Sequence, residues 1–139
     1  MVQVVWACVD GERPQAALKG ATLELKTLAY VVSVLGSEEG LRTAVSGMIR
    51  EGVRGLGGKP GAVEMALENV GPVVKFEVRT PGAVPGEGQP SIQEIRRIVE
   101  TAFGGTLTLA SDAVGGTALT MTLPVPSHRF RDPAQWWER

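Results

Sequence analysis

The stretch "GGTLTLASDAVGGTALTMTLPVP" (residues 104–126) alternates apolar residues with threonine in two runs, "TLTLA" and "TALTMTLPV". A period of two is typical of a strand that buries one face, and a short polar connection containing glycine joins neighbouring antiparallel strands. This stretch therefore predicts a half-buried antiparallel hairpin, and the fold that can contain it is inferred from the segments that precede it.

The N-terminal segments predict a helix followed by two strands. From Val4 to about Lys19 the apolar residues form a helical stripe, which Gly11 and Pro14 are expected to kink or break. The run "ATLELKT" (21–27) alternates apolar and charged residues, and "YVVSV" (30–34) is rich in β-branched residues, so both favour strands.

A second helix is predicted after Ser37, a good N-cap residue. Its apolar positions recur at steps of three and four residues until the segment "GLGGKPG" ends the pattern; they are Leu41, Ala44, Val45, Met48, Ile49 and Val53. The runs "AVEMALEN" (62–69) and "VVKFEVR" (73–79), with a turn around Asn69 and Gly71, then predict a hairpin.

A third helix is predicted to begin with a capping box formed by Ser91 and Glu94. Arg96 and Arg97 are expected to face away from the core. The apolar face of this helix would consist of Ile92, Ile95, Ile98, Val99, Ala102 and Phe103.

The order of elements predicts an α+β fold with two layers. Three helices, each followed by two strands, can pack on one face of a mixed, largely antiparallel sheet, which is a two-layer α/β sandwich. The 139 residues suit one domain, and we assign residues 1–126 to it and residues 127–139 to a C-terminal tail rich in aromatic and basic residues.

Composition and charge narrow the function. The 14 basic and 15 acidic residues give a net charge of -1, so a nucleic-acid partner is not expected. No apolar run approaches the ~20 residues of a membrane span, and the N-terminal sequence has no leader pattern, which predicts a cytoplasmic protein without membrane insertion. Cys8 and His128 are single residues of their type, which disfavours disulfides, zinc clusters and a Ser-His-Asp triad.

The stretch "EIRRIVETAFGGTLTLASDAVGGTALTMTLPVP" (94–126) resembles the C-terminal part of the ATP-binding domain of sensor histidine kinases. That domain belongs to the gyrase, heat-shock-chaperone, histidine-kinase and mismatch-repair ATPase superfamily. The segments "VVWACVDGERPQAALKGATLEL" (4–25) and "SEEGLRTAVSGMIREGVRG" (37–55) resemble its first helix and strand and its asparagine-bearing helix. The resemblance covers nearly the whole chain and implies a Bergerat-like fold.

The resemblance also assigns functional positions, and this chain departs from the family at several of them. Active members carry two asparagines on the second helix, the later of which coordinates the magnesium ion that bridges the phosphates. Gly47 and Glu51 occupy these positions here. In the Asp-x-Gly-x-Gly motif, Thr80 replaces the aspartate that accepts a hydrogen bond from the adenine amino group, Gly82 is retained and the second glycine is missing.

The last motif and the lid are also altered. Val114 replaces the first glycine of Gly-x-Gly-Thr, and only eight residues separate Gly82 from Ser91, where active relatives have a long lid. The resemblance thus implies a degenerate domain with no catalytic residue and no metal site. Its vestigial nucleotide positions would be Glu51, Thr80, Gly82, Gly116 and Thr117.

These departures predict a non-catalytic module of bacterial two-component signalling that holds no cofactor. Its partner would be another signalling protein, or a second copy in a homodimer. The alternative is a weak ATP- and magnesium-binding kinase domain, or a fragment of a sensor histidine kinase whose phosphoacceptor lies on another chain. An anti-sigma-factor-type serine kinase is a third hypothesis, which needs the same asparagine and aspartate.

The candidate residues also have ordinary structural interpretations. Turn geometry alone would explain the glycines at 104, 105, 115 and 116. Glu51 is either a residual metal ligand or base, or a glutamate on the solvated side of an amphipathic helix. Cys8 suits a small buried apolar position.

The tail "HRFRDPAQWWER" (128–139) contains Phe130, Trp136 and Trp137 together with arginines. Such residues are enriched at interfaces, although a tail that packs on its own domain would use them too. We predict that the tryptophan pair is ordered, since two exposed indoles would form a sizeable apolar patch. Removing the residues after Pro133 should lower the melting temperature or dissociate an oligomer, and an inert tail would change neither.

Overall fold

The computed structural model describes residues 1–28, 36–82, 89–111 and 116–125. Three sequence predictions lie outside these ranges: the strand at 30–34, the turn positions Val114 and Gly115, and the tail at 127–139 with its tryptophans and His128. The helices and strands follow one another in a single order. They are α1 (Val2–Leu18), β1 (Ala21–Leu28), α2 (Glu38–Arg54), β2 (Gly61–Val70), β3 (Val73–Thr80), α3 (Pro90–Arg97), a π-helical turn (Ile98–Ala102), β4 (Thr106–Ser111) and β5 (Thr117–Pro124).

The helix α1 is continuous, so the predicted break at Gly11 and Pro14 is wrong. Both residues lie on its exposed side, while Val9 and Ala16 are buried before and after them. Packing of this buried stripe against α2 and β1 holds the helix together across the hydrogen bond that the proline cannot make. The Glu12 carboxylate also accepts two hydrogen bonds from Arg50 of α2, and it raises the pKa of that guanidinium.

Replacing Pro14 with alanine should stabilise the protein by roughly 1–2 kcal/mol. The change restores a helical N–H donor and removes the clash of the proline ring with the preceding turn, and a gain in unfolded-state entropy offsets part of this. Urea denaturation measures the difference. The exposed alanine Ala17 on the same helix provides the reciprocal control, because Ala17→Pro should destabilise. A Pro14→Ala variant less stable than the wild type would contradict the expectation.

The helix α2 begins as predicted. The Gly40 N–H donates a hydrogen bond of 2.9 Å to the Ser37 hydroxyl, and Glu38 and Glu39 occupy the first turn, where carboxylates complement the helix dipole. All six predicted apolar positions of this helix are buried. Its C-cap is Gly55.

The five strands form one mixed sheet in the order β1-β2-β3-β5-β4. β1 pairs parallel with β2, and the other neighbours are antiparallel. The two hairpins predicted from the sequence, β2–β3 and β4–β5, are both confirmed. The register places Thr80, the last residue of β3, opposite Thr117, the first residue of β5.

The helices cover one face of this sheet, which confirms the predicted two-layer sandwich. Alternate residues of β3, namely Val74, Phe76 and Val78, are buried beneath them, and the residues between point to the open face. That open face carries Lys75, Glu77 and other polar side chains. Among the described helices, none has the length and apolarity needed to cross a membrane.

The start of the third helix differs from the prediction. α3 begins at Pro90, its N-cap residue is Gln89, and no side chain caps it, so the capping box of Ser91 and Glu94 is wrong. Proline suits the first helical position because its missing N–H has no helical acceptor there. The proline at the first position therefore starts the helix, and Ser91, the predicted N-cap residue, lies inside it.

The end of this helix widens into the π-helical turn. The wider turn rotates Ala102 to the surface and leaves Phe103 buried, so Ala102 does not belong to the apolar face. Arg96 is half-buried, and its guanidinium donates a hydrogen bond of 3.1 Å to the Leu107 carbonyl of β4. This contact was not predicted, but it agrees with the expectation that Arg96 faces away from the core, and Arg97 is exposed as expected.

Candidate functional site

The ends of β3 and β5 meet at one corner of the sheet. Thr80 and Thr117 are paired across the two strands, and both are buried. The Thr117 hydroxyl donates a hydrogen bond of 3.0 Å to the carbonyl of Gly82, two residues beyond β3. Gly116, which precedes Thr117, is buried as well. Four of the five positions that the sequence assigned to a vestigial nucleotide site thus lie together at this corner.

The C-terminal end of α2 packs directly on the corner through Gly55. A Cβ atom added to Gly55 would lie 2.7 Å from Thr80 Cγ2 and 2.9 Å from Thr80 Oγ1. A Cβ atom added to Gly82 would overlap the Gly55 carbonyl oxygen and lie 2.8 Å from its carbonyl carbon. Close packing of backbone on backbone therefore accounts for the glycine at position 82.

Glu51 lies one turn before Gly55 on the same helix. Its side chain is 2% exposed, so the interpretation of Glu51 as a solvated surface residue is wrong. One oxygen, Oε1, lies 3.3 Å from Nη1 of Arg54, whose side chain is 58% exposed. Within the described part of the chain, Glu51 Oε2 and Thr80 Oγ1 are buried and have no hydrogen-bond partner.

Gly47 lies a further turn before Glu51 and contacts α3. A Cβ atom at Gly47 would lie 2.9 Å from Ile95 Cδ1, so the position that the resemblance gives to the first asparagine is packed against an apolar side chain. Gly52 has a similar role beneath the helix, where its Cβ would lie 2.7 Å from Val78 Cγ1. These close contacts of Gly47, Gly52 and Gly55 were not predicted; their signal in the sequence was the glycines on the apolar side of α2.

Several clefts lie on the described surface near these elements. One, of about 450 Å³, borders the corner and is lined by Arg54, Gly55, Leu56, Gly57, Lys59, Pro60, Pro81 and Gly82. A smaller one, of about 170 Å³, includes Thr117 in its lining. Another, of about 470 Å³, lies on the open face of the sheet over Ala66 and shares no residue with the corner. Within the ranges that the structure describes, no group of three or more His, Cys, Asp or Glu side chains could hold a metal ion.

The same architecture occurs in solved structures of histidine kinases. The catalytic domain of histidine kinase ThkA, in a nucleotide-free form, superposes with a TM-score of 0.77 at 13% identity, over 88% of this chain and 91% of that one. This chain has the histidine-kinase ATPase fold. The mycobacterial sensor histidine kinase MprB matches this ATPase-fold chain at a TM-score of 0.70 and 20% identity, over 90% of this chain and 94% of MprB.

A third match is Acinetobacter baumannii histidine kinase AdeS, with a TM-score of 0.74 and 13% identity over 89% of the ATPase-fold chain and 64% of AdeS. No protein-family model matches the sequence, and no curated protein matches it either. The resemblance inferred from the final hairpin is therefore confirmed at the level of the ATPase fold.

The burial of Glu51 leads to a prediction about stability. Replacing it with methionine should raise the free energy of unfolding by roughly 1–2 kcal/mol, because the variant removes a buried carboxylate with one unpaired oxygen. The exposed guanidinium of Arg54 stays hydrated by solvent after the ion pair is lost, so this loss costs little. Chemical denaturation tests this, with Glu94→Met on the exposed side of α3 as the control, which should change stability by less than about 0.5 kcal/mol. A loss of stability in Glu51→Met would show that the carboxylate has a stabilising partner, such as a bound cation.

Proposed function

We propose that this chain is a non-catalytic module with the histidine-kinase ATPase fold, which holds no nucleotide and acts in signalling through protein–protein contacts. The observation that carries the proposal is the buried carboxylate of Glu51, at the position that the resemblance gives to the metal-binding asparagine. A triphosphate bound at this position of α2 would meet a negative charge, and electrostatic repulsion is stronger inside a protein than in water.

The environment of Thr80 supports the same proposal. Its side chain is 4% exposed and packs on the backbone of Gly55, where active relatives have the aspartate that binds adenine. A neutral hydroxyl cannot replace a charge-assisted hydrogen bond, whose loss costs roughly 1.5–3 kcal/mol. Thr80 also serves the packing of α2 on the sheet, which gives it a structural role without adenine.

The contact between Gly47 and Ile95 adds a steric obstacle. The apolar side of α3 lies against the position of the first asparagine, with Ile95 buried there. A polar group would therefore need a displacement of the Ile95 side chain before it could reach a nucleotide. Metal, adenine and helix-packing positions thus all favour an ATPase fold that has lost its ligand.

The alternative, a weak ATP-binding kinase domain, is favoured by one observation. The cleft beside the corner is lined by Arg54 and Lys59, and cationic side chains suit phosphate groups. Under this alternative the chain would be an ATP-dependent protein kinase that acts on another protein.

Titration calorimetry with magnesium-ATP distinguishes the two. For the non-catalytic module we expect no saturable heat at millimolar nucleotide and no autophosphorylation. For the kinase domain, saturable binding is required. The cytoplasm remains the proposed location, and a protein partner or a second copy remains the proposed ligand.

A further inference from the structure

Strand β4 has one edge that no other described strand pairs with. It stands at one end of the strand order and, among the described residues, pairs only with β5. The hydrogen bond from Arg96 to the Leu107 carbonyl indicates that this carbonyl points away from β5. Because backbone groups alternate between the two sides of an antiparallel strand, Leu107, Leu109 and Ser111 present their N–H and C=O groups to the open edge.

The chemistry of this edge favours another strand. β4 reads "TLTLAS" and contains no charged residue and no proline, the two kinds of residue that commonly protect an edge strand from pairing. Strand β1, at the other end of the order, carries the exposed charged residues Glu24 and Lys26. The two ends of the sheet therefore differ, and β4 is the one suited to strand addition.

The open face beside this edge is also uncharged. The pairs of residues that face outward from β4 and β5 are Thr106 with Thr122, Thr108 with Thr120, and Ala110 with Ala118. These side chains are short, so a strand added to β4 would continue a flat surface without burying a charge. On the helix side, the half-buried Leu109 is the apolar side chain nearest the edge.

We propose that β4 pairs antiparallel with β4 of a second copy and joins the two five-stranded sheets about a two-fold axis. A two-fold contact requires a self-complementary surface. With Leu109 of one copy opposite Leu109 of the other, Thr108 faces Ala110 and Leu107 faces Ser111. No like charges meet in this register, and the two Leu109 side chains cover each other.

Arg96 limits the strength of this contact. Its guanidinium occupies the Leu107 carbonyl, which would otherwise accept a hydrogen bond from the Ser111 N–H of the second copy. A pair of six-residue strands is also small beside the ~1,200–2,000 Å² that stable interfaces bury. The dimer is therefore weak, with a dissociation constant on the order of 0.1 mM.

Sedimentation of the full chain between about 10 μM and 1 mM tests the proposal. We expect a concentration-dependent monomer–dimer equilibrium. Ala110→Lys places a charge beside the axis in both copies and should weaken the dimer at least about tenfold, with the melting temperature unchanged because Ala110 is exposed. Thr22→Lys adds the same charge to exposed β1 and should leave the equilibrium unchanged.

A variant with the opposite effect makes the test sharper. Arg96→Met releases the Leu107 carbonyl and should tighten the dimer about three- to tenfold. A monomer at every concentration in both the wild type and Arg96→Met would overturn the proposal. So would a dimer that Ala110→Lys does not weaken. The inference deepens the proposed function, because it selects a second copy from the two proposed partners and names its surface. The two proposals can fail separately, since mass reports dimerisation and heat reports nucleotide binding.

Discussion

The Gly82→Ala variant should lose about 3 kcal/mol or more of its free energy of unfolding. The added methyl group would overlap the Gly55 carbonyl oxygen, and a backbone carbonyl at the end of a packed helix cannot move aside as a side chain can. Moving the loop instead would break the hydrogen bond between the Thr117 hydroxyl and the Gly82 carbonyl. Overpacking and the lost hydrogen bond therefore act together.

Chemical denaturation of Gly82→Ala, compared with Gly11→Ala, measures this effect. Gly11 lies on the exposed side of α1, and a Cβ atom there meets no atom within 4 Å, so its replacement should stabilise the helix by roughly 0.5–1 kcal/mol. The pair separates two reasons for a glycine at position 82. If Gly82 were needed only for the approach of a nucleotide, Gly82→Ala would unfold at the same denaturant concentration as the wild type.

The layers of the fold were predictable because the sequence pattern and the tertiary packing agree. In β4 and β5 the period of two matches the burial of one sheet face, and in α2 every predicted apolar position is buried. The capping residue Ser37 was predictable for the same reason, since its hydroxyl acts within one turn. Local signals of this kind require no knowledge of distant residues.

The errors arose where distant contacts decide the outcome. Pro14 does not break α1, because α2 and β1 hold the residues on both sides of it. The sequence predicted that α3 begins with a capping box of Ser91 and Glu94, but Pro90 occupies the first position of the helix. The hydrogen bond of Arg96 was not predicted, because its acceptor, the Leu107 carbonyl, belongs to a strand eleven residues later.

For the candidate site too, local features were predictable and features that depend on distant contacts were not. Register and burial bring Thr80, Gly82, Gly116 and Thr117 to one corner, and their assignment to a vestigial nucleotide site stays a prediction. The burial of Glu51 was not predicted, because a charged residue in an amphipathic helix is normally assigned to the exposed side, and no feature of the local sequence marks this one as buried. Its surroundings depend on how closely the helix approaches the sheet, and that distance is set by Gly52 and Gly55.

Titration of the wild-type protein with magnesium-ATP should show no saturable binding at millimolar nucleotide. Under the proposed assignment, Glu51 takes the place of the metal-binding asparagine and Thr80 that of the adenine-binding aspartate, and each lost contact is worth roughly 1.5–3 kcal/mol. Together they cost on the order of 3–6 kcal/mol, which would weaken a micromolar site to a dissociation constant between about 0.2 mM and about 25 mM. Saturable binding tighter than about 100 μM, roughly -5.5 kcal/mol, would favour the kinase alternative.

The double variant Glu51→Asn with Thr80→Asp provides the positive control for this titration. It restores both polar groups at the corner, so it should bind adenine nucleotides at least about tenfold more tightly than the wild type. Phosphoryl transfer should not return, because only eight residues separate Gly82 from Ser91 and no histidine lies in the described helices. If the double variant binds no better than the wild type, the obstacle to binding is the packing of Gly47 against Ile95. Gly47→Asn alone would not remove this obstacle, because the asparagine would have to displace the Ile95 side chain.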